Sequence, residues 1–216
     1  MITPGQGGEA ARSWQQVPRS PTDICVGRGT YRDFITPEAT AKTIKKFQPQ
    51  LVPGLLQTPQ YARAVVGASK LWQSGEEMEQ FVQVRMARQS RLTDPEPLQL
   101  WAVISEAVSL QQVGGPEVMK AQLQHLLRMS ESSNVTIQVL PFSRGAHANM
   151  FGPYVILGFP EVGALDVVLA DNPFGSMWFE REAEVAGYQG LFDTARTSAL
   201  PPVESRDLMQ RRAEEQ

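Results

Sequence analysis

Cysteine is almost absent from this chain. Cys25 is the only one in 216 residues, so no internal disulfide can form and a reducing compartment suits the protein. Histidine is nearly as scarce, with His125 and His147 alone. One thiol and two imidazoles, with no paired spacing such as His-x-x-x-His, argue against a transition-metal site. No Gly-x-Ser-x-Gly elbow occurs, and Cys25 stands in a stretch without helical or strand period, so no serine or cysteine nucleophile is signalled. Positive charge is not in excess either. A net charge of −3 gives no electrostatic footprint for nucleic acid. No apolar run approaches the ~18 residues of a membrane span. The first thirty residues also lack the apolar core of a signal peptide. The expected location is therefore the cytoplasm, with no membrane partner and no direct nucleic-acid contact.

What is present is ordinary globular material, 42% hydrophobic and 20% charged, enough for one large domain or two small intimate ones. Residues 1–29 are rich in Gly, Pro, Ser and Gln and bury too little to offset ordering entropy. They predict a flexible N-terminal arm, which Trp14 and Ile24 could pin to the body. Residues 30–95 predict a helical subdomain. Thr36-Pro37 suits an N-cap and first helical position, followed by a stripe of Ala39, Ile44 and Phe47. Pro49 and Pro53-Gly54 interrupt it. Thr58-Pro59 opens a second helix carrying Ala62, Val65 and Val66 inward, with Leu71-Trp72 beyond. A third begins near Ser74 and aligns Met78, Phe81, Val82, Met86 and Leu92. Asp94-Pro-Glu-Pro97 ends this part.

Residues 96–216 predict an α+β subdomain packed against the first as one unit. Strands are expected at Leu98–Ser105, Val135–Leu140, Pro153–Phe159, Leu165–Ala170 and Ser176–Phe179. Helices are expected over Pro116–Met129, with Gly115 at its cap, over 182–199, and as a short tail after Pro201-Pro202. The turn-rich connections Gly158–Gly163 and Asp171–Gly175 favour antiparallel hairpins. The predicted fold class is α+β: a helical part, then a mostly antiparallel sheet of about five strands covered by helices.

Candidate chemistry is sparse. Gly114-Gly115-Pro116 could hold an anion at a helix start, but Gly-Pro there also serves as a plain cap. Arg85, Arg88 and Arg91 stand three apart on one helix, so they form either a drifting band able to grip an acidic partner or a solvated, salt-bridged face. Glu106 follows an apolar strand, where a carboxylate needs a partner. Arg63 or Arg88 could supply it; otherwise Glu106 is a tuned acid or base. His147 sits on a loop between strands, either a site or a packing residue. His125 reads as structural. Trp101, Tyr154, Phe174 and Trp178 fall on or beside the predicted sheet, where they either line a small-molecule cavity or fill the core.

Several blocks are too specific for chance. They are Val52-Pro-Gly-Leu-Leu-Gln-Thr-Pro-Gln-Tyr-Ala-Arg-Ala-Val65, Arg85-x-x-Arg-Gln89, Ile104-Ser-Glu-Ala107 and Val113-Gly-Gly-Pro-Glu-Val-Met119. Further on come Gln122-Leu123, Asn134-Val-Thr-Ile-Gln-Val-Leu-Pro-Phe142, Gly145-Ala-His147 and Ser198-Ala-Leu200. Over roughly residues 31 to 210 the chain resembles the uncharacterised domain found behind the helix-turn-helix in actinobacterial Xre-type, antitoxin-like regulators. Glu38, Arg63, Arg85, Arg88, Gln89, Glu106, Gln122 and His147 match best. Departures fall at Leu169-Ala170-Asp171 and at Gln111-Gln112.

The resemblance implies a domain that receives a signal from a small molecule or small partner protein. No room is expected for a helix-turn-helix before Tyr31 or after Met209. The expectation is thus a stand-alone ligand-sensing or protein-docking module related to transcriptional regulators, needing no cofactor and with a homodimer left open. A ligand would lie among Trp101, Glu106, Tyr154, Phe174 and Trp178, and a partner would meet Arg85, Arg88 and Arg91. The alternative is a sensor fold recruited to natural-product biosynthesis as a cofactor-free cyclase or isomerase. It would use an apolar pocket with Glu106, His147 and Tyr154 as its polar groups.

Overall fold

Alternation, not helical period, decides the first main element. The computed structural model describes residues 37–68, 74–160, 166–172 and 175–216, with 171, 172, 175 and 176 described by backbone alone. The predicted arm, Thr36, Leu71, Trp72 and Phe174 lie outside these residues. Pro37 starts only a single helical turn over 37–40, closed by Ala41 N–H on the Pro37 carbonyl at 3.0 Å. Thr43–Gln48 is then a strand, β1, where a continuing helix was expected. Ile44 and Phe47 are three apart and look like one helical face, yet here they project to opposite faces of a sheet and are both buried. The β-branched Thr43 and Ile44 favour that extended backbone.

The remaining elements follow in order. After a 3-10 turn at Gly54–Leu56 come α1 (Pro59–Ala68), α2 (Gly75–Ala87) and a 3-10 turn at Arg88–Leu92. Next are β2 (Gln99–Ser105), α3 (Ala107–Leu110), α4 (Pro116–Met129) and β3 (Val135–Leu140). Then come β4 (Tyr154–Gly158), β5 (Val167–Asn172), β6 (Gly175–Phe179), α5 (Glu182–Ser198) and α6 (Pro202–Glu214). Local chemistry accounts for several boundaries. Ser74 caps α2, its hydroxyl accepting from Glu77 N–H at 3.1 Å. Gly115, at φ 90°, precedes Pro116 at the start of α4, a backbone that L side chains avoid.

The fold is α+β, but its sheet is six-stranded and mixed, in the order β3-β2-β1-β4-β5-β6. β1 pairs parallel with β2, and β2 parallel with β3, while β4, β5 and β6 add antiparallel. Where a mostly antiparallel sheet of about five strands was expected, the sheet has six, joined by three antiparallel and two parallel pairings. Parallel neighbours need a long crossover, supplied by α1 and α2 between β1 and β2 and by α3 and α4 between β2 and β3. Taking β1 as helix removes the strand that joins the parallel and antiparallel halves. One sheet therefore draws on both segments that the sequence separates near residue 95.

Each face has its own core. On one, Ile44, Leu100, Ile104, Ile137 and Leu157 pack with Tyr61 of α1, Leu123 and Leu126 of α4 and Met209 of α6. On the other, Phe47, Val103, Tyr154, Ile156 and Val168 pack with Val185, Phe192 and Ala195 of α5. Each such fully buried side chain contributes about 1.5–3 kcal/mol. Buried amides fix the layers to one another. Gln122 donates to the Leu56 carbonyl and accepts from Thr58 N–H, both at 2.7 Å, tying α4 to the entry of α1. Asn134 donates to the carbonyls of Leu92 and Leu98. The outer edge of β3 is covered where Leu200 N–H reaches the Val139 carbonyl and Ser205 Oγ accepts from Val139 N–H.

The turn ahead of β1 is held by a buried ion pair. Arg88 donates through Nε and Nη2 to the two oxygens of Glu38, and both side chains are largely out of solvent. Removing one partner of such a pair strands the other charge. Glu38→Ala is expected to lower unfolding free energy by about 3 kcal/mol, read as a lower denaturant midpoint. An unchanged midpoint would contradict this role.

Candidate functional site

The order β3-β2-β1-β4 forces the chain leaving β3 to pass the carboxyl ends of β2 and β1 before it can begin β4. Residues 141–153 make that passage, and the loop is pinned along its length. Phe142 N–H donates to Glu106 Oε2 at 2.9 Å. Arg144 Nε donates to the Ser198 carbonyl at 2.7 Å. Asn149 is the hub: its Nδ2 donates to the Leu191 carbonyl at 2.9 Å and its Oδ1 accepts from Tyr154 Oη at 2.7 Å. Its backbone N–H donates to His147 Nδ1 at 3.2 Å, and the His147 ring stands edge-on to Phe47. The turn at Gly145 has φ 64°, where a Cβ would be strained.

Against this anchored backbone the loop displays large apolar side chains. Phe142 is 59% exposed, Met150 66% and Phe151 99%. These exposed side chains lie close together on a loop with this many fixed points, unlike apolar residues scattered singly over a surface.

All three candidate acid–base residues are anchors of this loop. Glu106 directly follows β2, accepts from Phe142 N–H and pairs with Arg212 of α6 at 3.1 Å. Its partner is thus Arg212, where Arg63 or Arg88 was expected; Arg63 pairs with Glu79 and Arg88 with Glu38. Tyr154 is buried, and burial, aided by Tyr188 and Asp193, holds its phenol well above the ordinary tyrosine range. It keeps its proton and donates it to Asn149. His147 presents Nδ1 to a backbone N–H, as above.

The aromatic candidates do not converge. Trp101 and Tyr154 lie on the α5 face, and Trp178 packs into the core of the opposite face. Trp101 donates to Gln138 Oε1 at 2.8 Å, meets Phe192 edge-on and lies beneath the Arg196 guanidinium. The three arginines of the α2 region bond within the fold. Arg85 donates to Gln57 Oε1 at 2.6 Å and lies over the Phe81 ring. Arg91 donates to the Ala41 carbonyl at 2.8 Å and meets Asp94. Together with Arg88 they clasp the segments on either side of β1.

At the amino ends of β1, β2 and β3 a cleft of about 160 Å³ opens on the α5 face, with Lys45 and Trp101 in its wall. Neither Lys45 nor the loop residues Asn149, Met150 and Phe151 carried a signal in the sequence. Asn149-Met-Phe-Gly-Pro153 shows only two large apolar residues inside a turn-like run. Among the described residues no group of three or more His, Cys, Asp or Glu is placed to hold a metal ion.

Residues 31–211 match the domain of unknown function DUF5753. The chain belongs to the DUF5753 family. No curated protein matches it. The matched span takes in all six strands, the pinned loop and α5, so the site just described belongs to the DUF5753 domain itself.

Two outcomes follow from this geometry. Asn149→Ala removes the acceptor of a buried phenol and one tie to α5, and should cost about 1–3 kcal/mol. Tyr154→Phe, which removes only the phenol donor and keeps the Asn149 tie to Leu191, should cost less. Equal and negligible losses in chemical denaturation would contradict the hub. On α4, His125 Nε2 is buried with no hydrogen-bond partner among the described residues, and burial followed by the nearby Arg128 charge lowers its pKa below the ordinary 6.5. The folded state favours neutral imidazole, so stability is whole above the unfolded value and declines as pH falls through the depressed folded one. Thermal melts should show this acid-side decline flattened in His125→Gln; identical pH slopes would count against it.

Proposed function

We propose that this DUF5753 domain is a protein-docking module whose contact element is the pinned loop 141–153. The observation that carries the reading is Phe151, 99% exposed on a backbone fixed to β2, α5 and β4. Anchoring matters energetically. A loop already held in its binding geometry loses little conformational freedom on association, and exposed aromatic residues are the usual anchors of small interfaces. Met150 and Phe142 extend the apolar contact.

The partner fits a stated chemistry: an apolar hollow for Phe151 and Met150, with a carboxylate at its rim. Arg144 supplies the reason for the carboxylate. Only its Nε is bonded among the described residues, leaving the two terminal amino groups to meet an acid. The resemblance to Xre-type regulators supports a regulatory protein as that partner. In this reading Glu106, His147 and Tyr154 serve to hold the loop, which supports docking over the cyclase or isomerase alternative. No catalysis and no cofactor is invoked.

A photo-crosslinking amino acid placed at Phe151, in the cells that make the protein, tests this. The expected result is one discrete adduct from position 151, abolished by Met150→Ser, and none from the exposed α4 position Glu117. Equal labelling from both positions, or none from 151, would overturn the reading.

A further inference from the structure

The cleft on the other flank of α5 has a charge balance that the docking loop does not explain. Among the described residues its wall holds one cation, Lys45, and no carboxylate. Lys45 Nζ makes one bond, to the neutral amide oxygen of Gln189 at 2.6 Å. The nearest acid in that network is Asp166, which holds the other end of the same amide, at 2.7 Å from Gln189 Nε2, and borders Thr43 beside Gly158. Arg196, above Trp101, is already paired with Asp193. The ammonium therefore faces the cleft with no ion-pair partner among the described residues.

The rest of the wall complements that charge. The hydroxyls of Thr43, Ser133 and Thr136 and the amide of Gln99 line the opening and make no hydrogen bond to the described residues. Trp101 supplies apolar surface, its indole N–H being turned away to Gln138. One unpaired cation, free hydroxyls and an aromatic wall suit an anion carrying a small apolar body. Size narrows the class. At about 160 Å³ the cleft falls below the ~300 Å³ at which drug-sized ligands begin to fit.

We propose that this cleft binds a small aromatic or aliphatic monocarboxylate, its carboxylate on Lys45 and its apolar body along Trp101. The site stands independently of the docking reading. It lies at the opposite end of the parallel strands and has no lining residue in common with the loop.

The test uses benzoate as probe and benzamide as its uncharged counterpart, followed by amide NMR of the whole chain. Benzoate is expected to shift the signals of Lys45, Trp101 and Thr136 and to bind about fivefold more tightly than benzamide, the ratio of one partly exposed ion pair. Lys45→Met should abolish that preference, and Lys45→Arg should retain it. Should Lys45→Met not fold, rising salt applied to the native protein keeps the test, because screening must draw the benzoate-to-benzamide ratio toward one. Equal binding of the two probes, shifts centred on Arg144 or α6 in place of the cleft, or full benzoate preference in Lys45→Met would each overturn the assignment.

Discussion

Helix α5 lies across the second face of the sheet with Val185, Phe192 and Ala195 against Phe47, Val103, Ile156 and Val168. Without it those strand residues would meet water, because α1, α4 and α6 all serve the first face. The hydrophobic contact fixes where α5 sits, and its polar groups then become fixed points for everything beside it. The carbonyls of Leu191 and Ser198 hold the loop at Asn149 and Arg144. The carbonyls of Arg196 and Leu200 receive the Gln138 amide, which in turn positions Trp101. Gln189 orients Lys45. Loop and cleft are two flanks of one packed helix.

This dependence sets the energetic logic of the site. Apolar burial under α5 is worth several kcal/mol in aggregate, whereas each loop tie is a single hydrogen bond with a net contribution of about 1 kcal/mol. The helix can hold the loop; the loop cannot hold the helix. Display of Phe151 therefore depends on a core that the exposed residues do not touch. Buried polar groups at the junction, such as Tyr154 and Asn149, are partnered with each other because burial leaves them no water.

The sequence made most of the scaffold legible. Helical period and caps located Pro116–Met129 to the residue, and Ser74, Gly115 and Pro202 mark real boundaries. Alternation found Val135–Leu140, and the turn-rich runs indicated the antiparallel β4-β5-β6 part. The failure was β1. Ile44 and Phe47 fit a helical stripe and a strand with one residue on each face equally well, and only six residues were there to arbitrate. That ambiguity hides the sixth strand and, with it, the parallel pairings of β1, β2 and β3. Glu106 stood out because a carboxylate follows an apolar strand, but its partner Arg212 lies 106 positions away and no local pattern points to it. Asn149 and Phe151 had no period at all. Their roles come from where the β3-β2-β1-β4 order sends the loop, which is a property of topology.

Loop 141–153 should be as ordered as the sheet it borders while exposing Phe151, and backbone ¹⁵N relaxation can show it. Order parameters for His147 to Phe151 are expected near the ~0.85 of rigid backbone, comparable with those of β4. Values below about 0.6, with β4 itself rigid, would mean that the hydrogen bonds to α5 do not hold the loop, and the docking element would have no fixed shape to present.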